Sequence, residues 1–312
     1  MSHLMKNYGR LPVSFDHGQG VWLWDKEGHK YLDALAGIAV NSVGHAHPRL
    51  VRAIADQASK LIHCSNYFNI DLQEQVAEKL VEHSGLEAVF FCNSGLEANE
   101  CAIKIARKFG HAKGIEVPNI IVLKHAFHGR SIATLSATGN PSVREDFSPY
   151  TEGFIFVDES DLDGIRKIVE ENKNVVAIFF EPILGEGGVV PVDLSVIKGI
   201  REICDEHDLL MMCDEVQCGM GRSGKWFAHQ WAEIKPDVIT MAKGLAGGVP
   251  VGAVVVSKKA NIFKPGNHGS TFGGNPLAMR AALETLSIIE DEKLVLNLLT
   301  VSQACEVFAV KA

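Results

Sequence analysis

The segment DLLMMCDEVQ, residues 208–217, decides the class of fold that this chain adopts. Its apolar run LLMMC is short and continuous, and an acid, Asp214, follows it at once. Such a run is typical of a strand that is buried on both faces of a sheet. Similar runs occur on either side of it, at 87–92, 119–123, 174–180, 237–241 and 252–256. Stretches with apolar residues at helical spacing lie between several of them, at 95–109, 160–172 and 195–207. This alternation predicts an α/β fold with a mostly parallel sheet that is covered by helices.

The two ends of the chain depart from this alternation. The sequence VWLWDKEGHKYLD is typical of a hairpin, because two short strand-like runs flank a glycine-containing turn. Further helices are expected at about 48–61, 71–83 and 275–291. We therefore expect three parts: residues 1–45 as the N-terminal segment of a small lobe, residues 46–275 as the large domain, and residues 276–312 as the truncated start of a C-terminal small domain.

The composition limits the possible functions. The chain has 312 residues, of which 46% are hydrophobic, and it carries a net charge of −8 without a basic stripe. Nucleic acid is therefore not an expected partner. Its seven cysteines form no CxxC and lie mostly in apolar stretches, which indicates buried thiols in a reducing compartment. No window approaches the ~18 apolar residues of a membrane span and the first ten residues form no signal sequence, so we expect a cytoplasmic protein.

A small-residue turn, NSGLEAN (93–99), links the strand at 87–92 to the helix at 95–109. Free N–H groups and the positive end of the helix dipole at such a turn suit a phosphate group. Alternatively, Ser94 is an ordinary N-cap and Glu97 completes a capping box. The two interpretations are compatible, and both stay open from the residues alone.

Two charged residues follow predicted strands further along the chain. Asp214 ends a buried apolar strand, where a lone carboxylate is too costly to leave unpaired. A protonated pyridine ring is one possible partner, and the alternative is a helix N-cap. Lys243 follows the strand at 237–241, and a partly buried lysine has a lowered pKa that suits Schiff-base formation. A surface lysine would be the ordinary interpretation, but the phosphate turn and Asp214 favour the functional one.

Other polar or glycine-rich segments are open to more than one interpretation. EPILGEGG (181–188) follows a buried strand, so its acids are candidates for the ligand crevice, and the alternative is a polar loop whose acids face water. For Glu186 by itself the water-facing loop is the better interpretation, whereas for Glu181 both stay open. GMGRSG (219–224) matches a dinucleotide fingerprint, but no strand adjoins it and no helix start follows it. His45 and His47 are expected to lie in a turn rather than to bind a metal, since no third ligand is evident.

Seven segments together carry a family resemblance: GHAHP, NSGLEANE, AFHGR, EPILGEGG, DEVQCGMGRSG, AKGLAGGVPVGA and HGSTFGGNPLA. In this order and spacing, from about Phe15 to Glu290, the chain resembles the class III (ω-amino) aminotransferases, which have the type I fold of pyridoxal-phosphate (PLP) enzymes. The resemblance implies PLP as the cofactor and an aminotransferase activity.

The resemblance also implies roles for individual residues of the cofactor site. Lys243 would form the Schiff base with PLP, and Asp214 would pair with the pyridine nitrogen. The remaining roles concern the ring and the phosphate: Phe127 and Val216 on the two ring faces, Gln217 at the ring hydroxyl, Ser94, Gly95 and Leu96 around the phosphate, and Thr271 of a neighbouring subunit completing that cradle. The active unit would therefore be a homodimer.

The substrate half is implied less completely. Arg130 and Ser270 would contact substrate, and Glu186 matches the family's gating acid, which pairs with an arginine of the C-terminal lobe. No residue of this chain matches that arginine, and the tail after about Leu298 does not resemble the family, so we expect a truncated or frameshifted end. Leu96 and Leu184 also depart from the usual family residues at their positions.

The resemblance is strongest to the members that act on N-acetylornithine. It implies transfer of an amino group from N-acetylornithine to 2-oxoglutarate, giving N-acetylglutamate semialdehyde and glutamate in arginine biosynthesis. Ile38 stands where enzymes acting on free ornithine carry a tyrosine, which favours an N-acylated substrate. The alternatives are another ω-amine (ornithine, succinylornithine or 4-aminobutyrate), a PLP-binding protein without full activity, and a nicotinamide-dependent dehydrogenase based on GMGRSG.

Overall fold

The computed structural model describes residues 3–298, and a seven-stranded sheet forms its centre. In spatial order the strands are β4 (Ala88–Cys92), β12 (Gly252–Val256), β11 (Val238–Met241), β10 (Leu210–Asp214), β7 (Val175–Phe180), β5 (Asn119–Leu123) and β6 (Phe154–Val157). All neighbouring pairs are parallel except those of β12, which runs antiparallel to both β11 and β4. The prediction of a mostly parallel α/β sheet is confirmed.

The helices pack on both faces of this sheet. They are α2 (Pro48–Lys60), α3 (Asp71–Ser84), α4 (Gly95–Ala112), α5 (Ile132–Ala137), α6 (Pro141–Arg144), α7 (Leu162–Glu171), α8 (Leu194–Glu206) and α9 (Pro276–Asp291), after a four-residue turn, α1 (Ala36–Ala39). Alternate residues of β7 enter different cores, because side chains alternate across a strand. Phe179 packs with α4 on one face, whereas Ile178 and Phe180 pack with α7 and α8 on the other.

The N-terminal part forms a separate antiparallel sheet of β1 (Phe15–Gln19), β2 (Trp22–Asp25) and β3 (Lys30–Leu32). Asp25 holds the expected hairpin turn, since its carboxylate accepts the N–H groups of Glu27 and His29 and the hydroxyl of Tyr31. A third strand, β1, was not predicted. A two-residue pair, β8 (Ile183–Leu184) and β9 (Val190–Pro191), lies in the loop after β7.

At the other end of the described chain, α9 packs against α2 and α3 in one hydrophobic core. The division into residues 1–45, 46–275 and 276–312 stays a prediction, and positions 299–312 of its third part lie outside the described residues. None of the helices between residues 3 and 298 is long and apolar enough to cross a membrane.

The topology brings the carboxyl ends of six strands, all except β12, to one edge of the sheet, and five of them lead into candidate site segments. Strands β4, β5, β7, β10 and β11 point the same way, since β12 reverses direction between β4 and β11. Their carboxyl ends lead directly into the segments that begin at Asn93, Lys124, Glu181, Glu215 and Ala242. The fold therefore gathers most of the candidate site residues at this edge, where open α/β sheets bind ligands.

Replacing Phe180 by alanine tests the central packing. Phe180 is fully buried in β7, so we expect Phe180→Ala to lower the free energy of unfolding by about 3–5 kcal/mol, the cost of such a cavity. Urea unfolding followed by tryptophan fluorescence measures it. The control Phe147→Ala removes a ring that is 57% exposed and should change stability by less than about 1 kcal/mol. Equal losses in the two variants would contradict the assignment of β7 to the core.

Candidate active site

A cavity of about 490 Å³ opens at the carboxyl edge of the sheet. Nine of the candidate residues line it: Ser94, Gly95, Leu96, Phe127, Arg130, Asp214, Val216, Gln217 and Lys243. Glu181, Asn99 and His128 line it as well. Glu186, Ser270 and Thr271 are not part of its lining within the described chain. Their roles, and those of the nine, stay predictions that the geometry can support.

One wall of the cavity is the turn between β4 and α4. The Ser94 hydroxyl accepts the N–H of Glu97 at 3.2 Å, while the Glu97 carboxylate accepts the N–H of Asn93. Ser94 is therefore the N-cap, but the capping box is not completed, because Glu97 accepts from Asn93, the residue before the cap, and not from Ser94. The phosphate turn stays a prediction. The N–H groups of Gly95 and Leu96 precede the first helical hydrogen bond, so they are available at the positive end of the helix dipole.

Only glycine fits at the first position of this helix. A Cβ atom on Gly95 would lie 2.5 Å from Cγ1 of Val216. Val216 follows Asp214 by two residues, and it lines the same cavity. The close approach brings the helix N-terminus and the segment after β10 together. The space between them is narrow, as a flat ring with a phosphate arm requires.

The cavity wall also carries a buried carboxylate, Asp214, that is 3% exposed. Its Oδ2 accepts hydrogen bonds from Nδ2 of Asn99 at 2.7 Å and from Nδ1 of His128 at 2.8 Å. Its Oδ1 accepts the N–H of Val216 at 3.0 Å. The N-cap interpretation of Asp214 is wrong, because turns follow it and the next helical segment is the 3₁₀ turn Ala228–Ala232.

Sequence reasoning missed Asn99 and His128. Asn99 lies on α4, and its Nδ2 also donates to the carbonyl of His128 at 2.8 Å. The His128 ring stacks on Phe179 with 4.1 Å between ring centroids. A polar residue within an otherwise apolar helix face was the available signal for Asn99, whereas the contacts themselves join residues that are far apart in the sequence.

Lys243 lies two residues after the end of β11 and is half-buried. Its backbone adopts a positive φ of 32°, which is unusual for a residue with a side chain. Burial lowers the pKa of its ammonium group, and the charges of Asp214, Glu181 and Glu186 oppose this effect. A lowered pKa leaves more of the amine in the neutral form that attacks a carbonyl carbon.

Glu181 joins two loops beside the cavity and is 5% exposed. Its Oε1 accepts the N–H of Phe127 at 2.7 Å, and its Oε2 accepts the N–H of Gly185 at 3.0 Å. Burial and the charge of Asp214 raise the pKa of Glu181 to about 7, against the opposing effect of His128. The sequence left the role of this residue open, and the structure brings it into the cavity wall.

The remaining candidates lie near the cavity or beside it. Ser270 accepts hydrogen bonds on Oγ from Nδ2 of Asn93 at 3.2 Å and from the N–H of Gly273 at 2.9 Å. Ser270 and Thr271 border an adjoining pocket that shares Asn93 with the main cavity. Glu186 is exposed, although its charge acts on the pKa of Lys243.

The competing motifs lack a matching site in the described residues. Gly219–Gly224 lies in a series of turns that no helix follows directly, so it lacks the strand–turn–helix context of a dinucleotide site. His45 pairs with Asp33 at 2.7 Å, and His47 pairs with Glu292 at 3.0 Å. The two histidines therefore have different partners.

Comparison with known proteins decides between these possibilities. The family model for class-III aminotransferases matches residues 4–306. The chain belongs to the class-III aminotransferases. The match is wider than the motifs indicated, and it passes the position near Leu298 at which we expected the resemblance to end. Membership in this family overturns the interpretation of GMGRSG as a nicotinamide site.

Curated relatives of this class-III aminotransferase are named acetylornithine aminotransferase. The protein from Nitrosomonas europaea is 55% identical over 302 residues, which cover 96% of this chain and 77% of that protein. The protein from Synechocystis is 50% identical, with 95% of this chain and 70% of that protein covered. The chain thus spans about three quarters of the length of these relatives.

Solved structures agree with the fold. Ornithine aminotransferase from Toxoplasma gondii superimposes with a TM-score of 0.90 at 36% identity, covering 94% of this chain and 70% of that chain. N-acetylornithine aminotransferase from Stenotrophomonas maltophilia gives a TM-score of 0.81 at 37% identity, covering 95% and 74%. The fold is accordingly the type I fold of PLP-dependent enzymes.

The cofactor of this class-III aminotransferase is PLP, and the cavity residues fit it. Gly95 and Leu96 offer backbone N–H groups at the helix N-terminus, and the close contact of Gly95 with Val216 leaves no room for a Cβ atom there. Asp214 offers a buried anion, and Lys243 offers a half-buried amine. These three groups match, in turn, the phosphate, the ring nitrogen and the aldehyde of PLP.

Replacing Gly95 by alanine tests the cradle. The new methyl group would press on Val216, and overpacking of this kind costs about 1–3 kcal/mol. We expect Gly95→Ala to weaken PLP binding by about tenfold or more, measured by absorbance titration of the cofactor-free protein. Gly9→Ala is the control, because nothing lies within 4 Å of a Cβ atom there. Unchanged affinity in Gly95→Ala would refute the assignment of the cradle.

Proposed function

We propose that this chain catalyses the transfer of an amino group from N-acetylornithine to 2-oxoglutarate, giving N-acetylglutamate semialdehyde and glutamate, a step of arginine biosynthesis. The meeting of Lys243, Asp214 and the N-terminus of α4 in one cavity carries the proposal. Its substrate is supported by the 55% identity to a protein named acetylornithine aminotransferase.

Lys243 has two tasks in this proposal. Bound PLP acts as an electron sink for the carbon atom that carries the amine. The Nζ atom of Lys243 would hold the cofactor covalently, and as a free amine it would accept or donate a proton at that carbon. The pKa lowered by burial suits both tasks, because each requires a neutral amine.

Asp214 and the residues around it hold the ring. The carboxylate of Asp214 would face the ring nitrogen and keep it protonated, while Asn99 and His128 fix the direction of the carboxylate. Phe127 and Val216 would cover the two ring faces, and Gln217 would reach the ring hydroxyl. Ser94, Gly95 and Leu96 would bind the phosphate through the helix N-terminus.

Substrate binding would use the residues at the mouth of the cavity. Arg130 is exposed there, with Cζ 5.7 Å from the centroid of the Phe127 ring, and its guanidinium suits a substrate carboxylate. Ser270 offers a hydroxyl next to Asn93. Glu186 would act as the gating acid near Lys243, since its charge already affects the pKa of that lysine.

Free ornithine is the second candidate substrate. The structural similarity to the Toxoplasma gondii ornithine aminotransferase, with a TM-score of 0.90, favours it. The lower identity to that protein, 36%, and an isoleucine at position 38 favour the N-acylated amine. Rates of half-reaction with N-acetylornithine, succinylornithine, ornithine and 4-aminobutyrate, read from the absorbance of bound PLP, separate these substrates. A preference for ornithine would contradict the proposal while leaving the cofactor site intact.

Replacing Lys243 by alanine tests the central assignment. Because the variant lacks the amine that attaches PLP and moves the proton, we expect kcat to fall by at least about 100-fold. Borohydride should attach the cofactor to Lys243 in the parent protein and not in Lys243→Ala, as peptide mass spectrometry can report. Lys198→Ala, an exposed position on α8, is the control. Sustained turnover by Lys243→Ala would rule out this role.

We also propose a homodimer in which Thr271 completes the phosphate site of the neighbouring subunit. Thr271 is exposed in the single chain and lies outside its main cavity. Bulky side chains near it are exposed as well, with Tyr67 at 97%, Phe68 at 70% and Phe272 at 61%. Such an exposed apolar group favours contact with a second copy.

Location in the cytoplasm fits the unpaired cysteines among the described residues.

Mixed dimers test the trans role of Thr271. Thr271→Ala should weaken PLP binding by about tenfold, the value of a hydrogen bond to a charged group, whereas Thr271→Ser should keep it. In a mixture of Lys243→Ala and Thr271→Ala subunits, each hybrid dimer has one intact site only if the threonine acts across the interface. Activity at limiting PLP should then exceed the sum of the two parents. No gain in a mixture that forms hybrids would mean that Thr271 acts within its own subunit or not at all.

A further inference from the structure

Glu181 is the buried acid of the cavity to which neither the family motifs nor the mechanism above gives a task. It follows the central strand β7 directly and lines the cavity together with Asp214. We propose that Glu181 is a positioning residue whose two carboxylate oxygens hold the loop of Phe127 and the loop of Gly185 against the two sides of the cofactor site. This inference rests on the cofactor assignment and not on the choice of substrate.

The first side is the segment after β5. The N–H of Phe127 donates to Oε1 of Glu181 at 2.7 Å, so the backbone of the proposed ring-stacking residue is fixed by this bond. The neighbouring residue, His128, is held by Asp214 through Nδ1. Two consecutive residues of one loop are therefore fixed by two different carboxylates at the ends of β7 and β10.

The second side is the loop after β7. The N–H of Gly185 donates to Oε2 of Glu181 at 3.0 Å. A Cβ atom on Gly185 would lie 2.6 Å from Cδ of Gln217, so the loop backbone packs directly on the side chain that is proposed to reach the ring hydroxyl. One carboxylate thereby sets the position of Phe127 and supports that of Gln217, which lie on different elements.

The charge state of Glu181 matters for this task. A carboxylate accepts both N–H groups, whereas a protonated carboxyl has one oxygen that donates and competes with an N–H. The charged or titratable groups that act on it are Asp214 and His128, and its own charge acts on Lys243 and Cys218. Burial raises the pKa of Glu181 to about 7. The two bonds are therefore intact at higher pH and weaken as the pH falls below about 7.

The contribution of Glu181 to the free energy of unfolding changes with pH in the opposite direction. The raised pKa means that the folded state favours the protonated form, so the contribution of Glu181 to folding stability decreases as the pH rises from its ordinary pKa toward about 7. A residue that merely stabilised the fold would lose local and global protection together. A positioning carboxylate gains protection at Phe127 and Gly185 while its stability contribution falls.

Hydrogen exchange of the PLP-loaded protein tests the proposal. In Glu181→Gln an amide NH₂ must face one of the two N–H donors, so we expect the amides of Phe127 and Gly185 to exchange about tenfold or more faster, as the loss of a charge-assisted bond implies. The matched control is Glu159→Gln, which removes the partner of His125 in the same loop without touching the cavity. Exchange at Phe127 and Gly185 should be unchanged in the control.

The second measurement is the dissociation rate of PLP, which should rise in Glu181→Gln and not in Glu159→Gln. If Glu181→Gln fails to fold, a pH series on the parent protein replaces it. After correction for intrinsic exchange, protection at Phe127 and Gly185 should then fall relative to α8 as the pH is lowered below about 7. Protection and PLP dissociation equal to the control, or protection in the parent protein that does not change with pH, would overturn the proposal. A preference for another amine would leave these results unchanged.

Discussion

The carboxylate of Asp214 is the charge on which the cavity depends. A buried anion is tolerated only with partners, and this one receives hydrogen bonds from Asn99, His128 and the backbone of Val216. These partners belong to α4, to the loop after β5 and to the segment after β10. Satisfying one charge therefore draws three separate parts of the chain to a single point, and the cavity forms between them.

The sheet supplies the rigidity that this arrangement needs. Strands β7 and β10 are buried along their whole length. Strand β7 ends at Phe180, next to Glu181, and β10 ends at the second acid of the cavity, Asp214. Residues held by central strands keep their positions more strictly than residues on loops. The loop residues that would touch the cofactor, such as Phe127, are in turn fixed by bonds to these strand ends. The strands thus fix the positions of the two acids, and the acids fix the positions of the loops.

The sequence predicted the parts of the site that follow local rules. Continuous apolar runs marked five of the strands on which the cavity residues depend, and Lys243 and Asp214 were found because each follows such a run. Strand β6 was missed, since Phe154–Val157 is a four-residue edge strand that is half-buried except at Val157 and has no strong boundaries. Asn99 and His128 were missed for a different reason. Their bonds to Asp214 span 115 and 86 residues, and no local pattern encodes such a contact.

The positions of Ser270 and Thr271 beside the cavity could not be predicted either, because the path of their glycine-rich loop follows no periodic pattern.

The reversed strand β12 has a consequence for how the protein is made. It inserts between β4 and β11, and a Cβ atom on its first residue, Gly252, would lie 2.3 Å from the carbonyl oxygen of Ser94. The turn that ends β4 is thus braced by a strand that leaves the ribosome more than 150 residues later. Contacts of such long sequence separation form late and slow the folding of a chain. A nascent chain that has not yet reached residue 256 lacks the brace, however complete its first helices are, and its unpaired β4 is exposed to aggregation in the meantime. We infer that the cofactor binds only after synthesis has passed β12. The concentration of the cofactor then affects the last stage of folding and not the first.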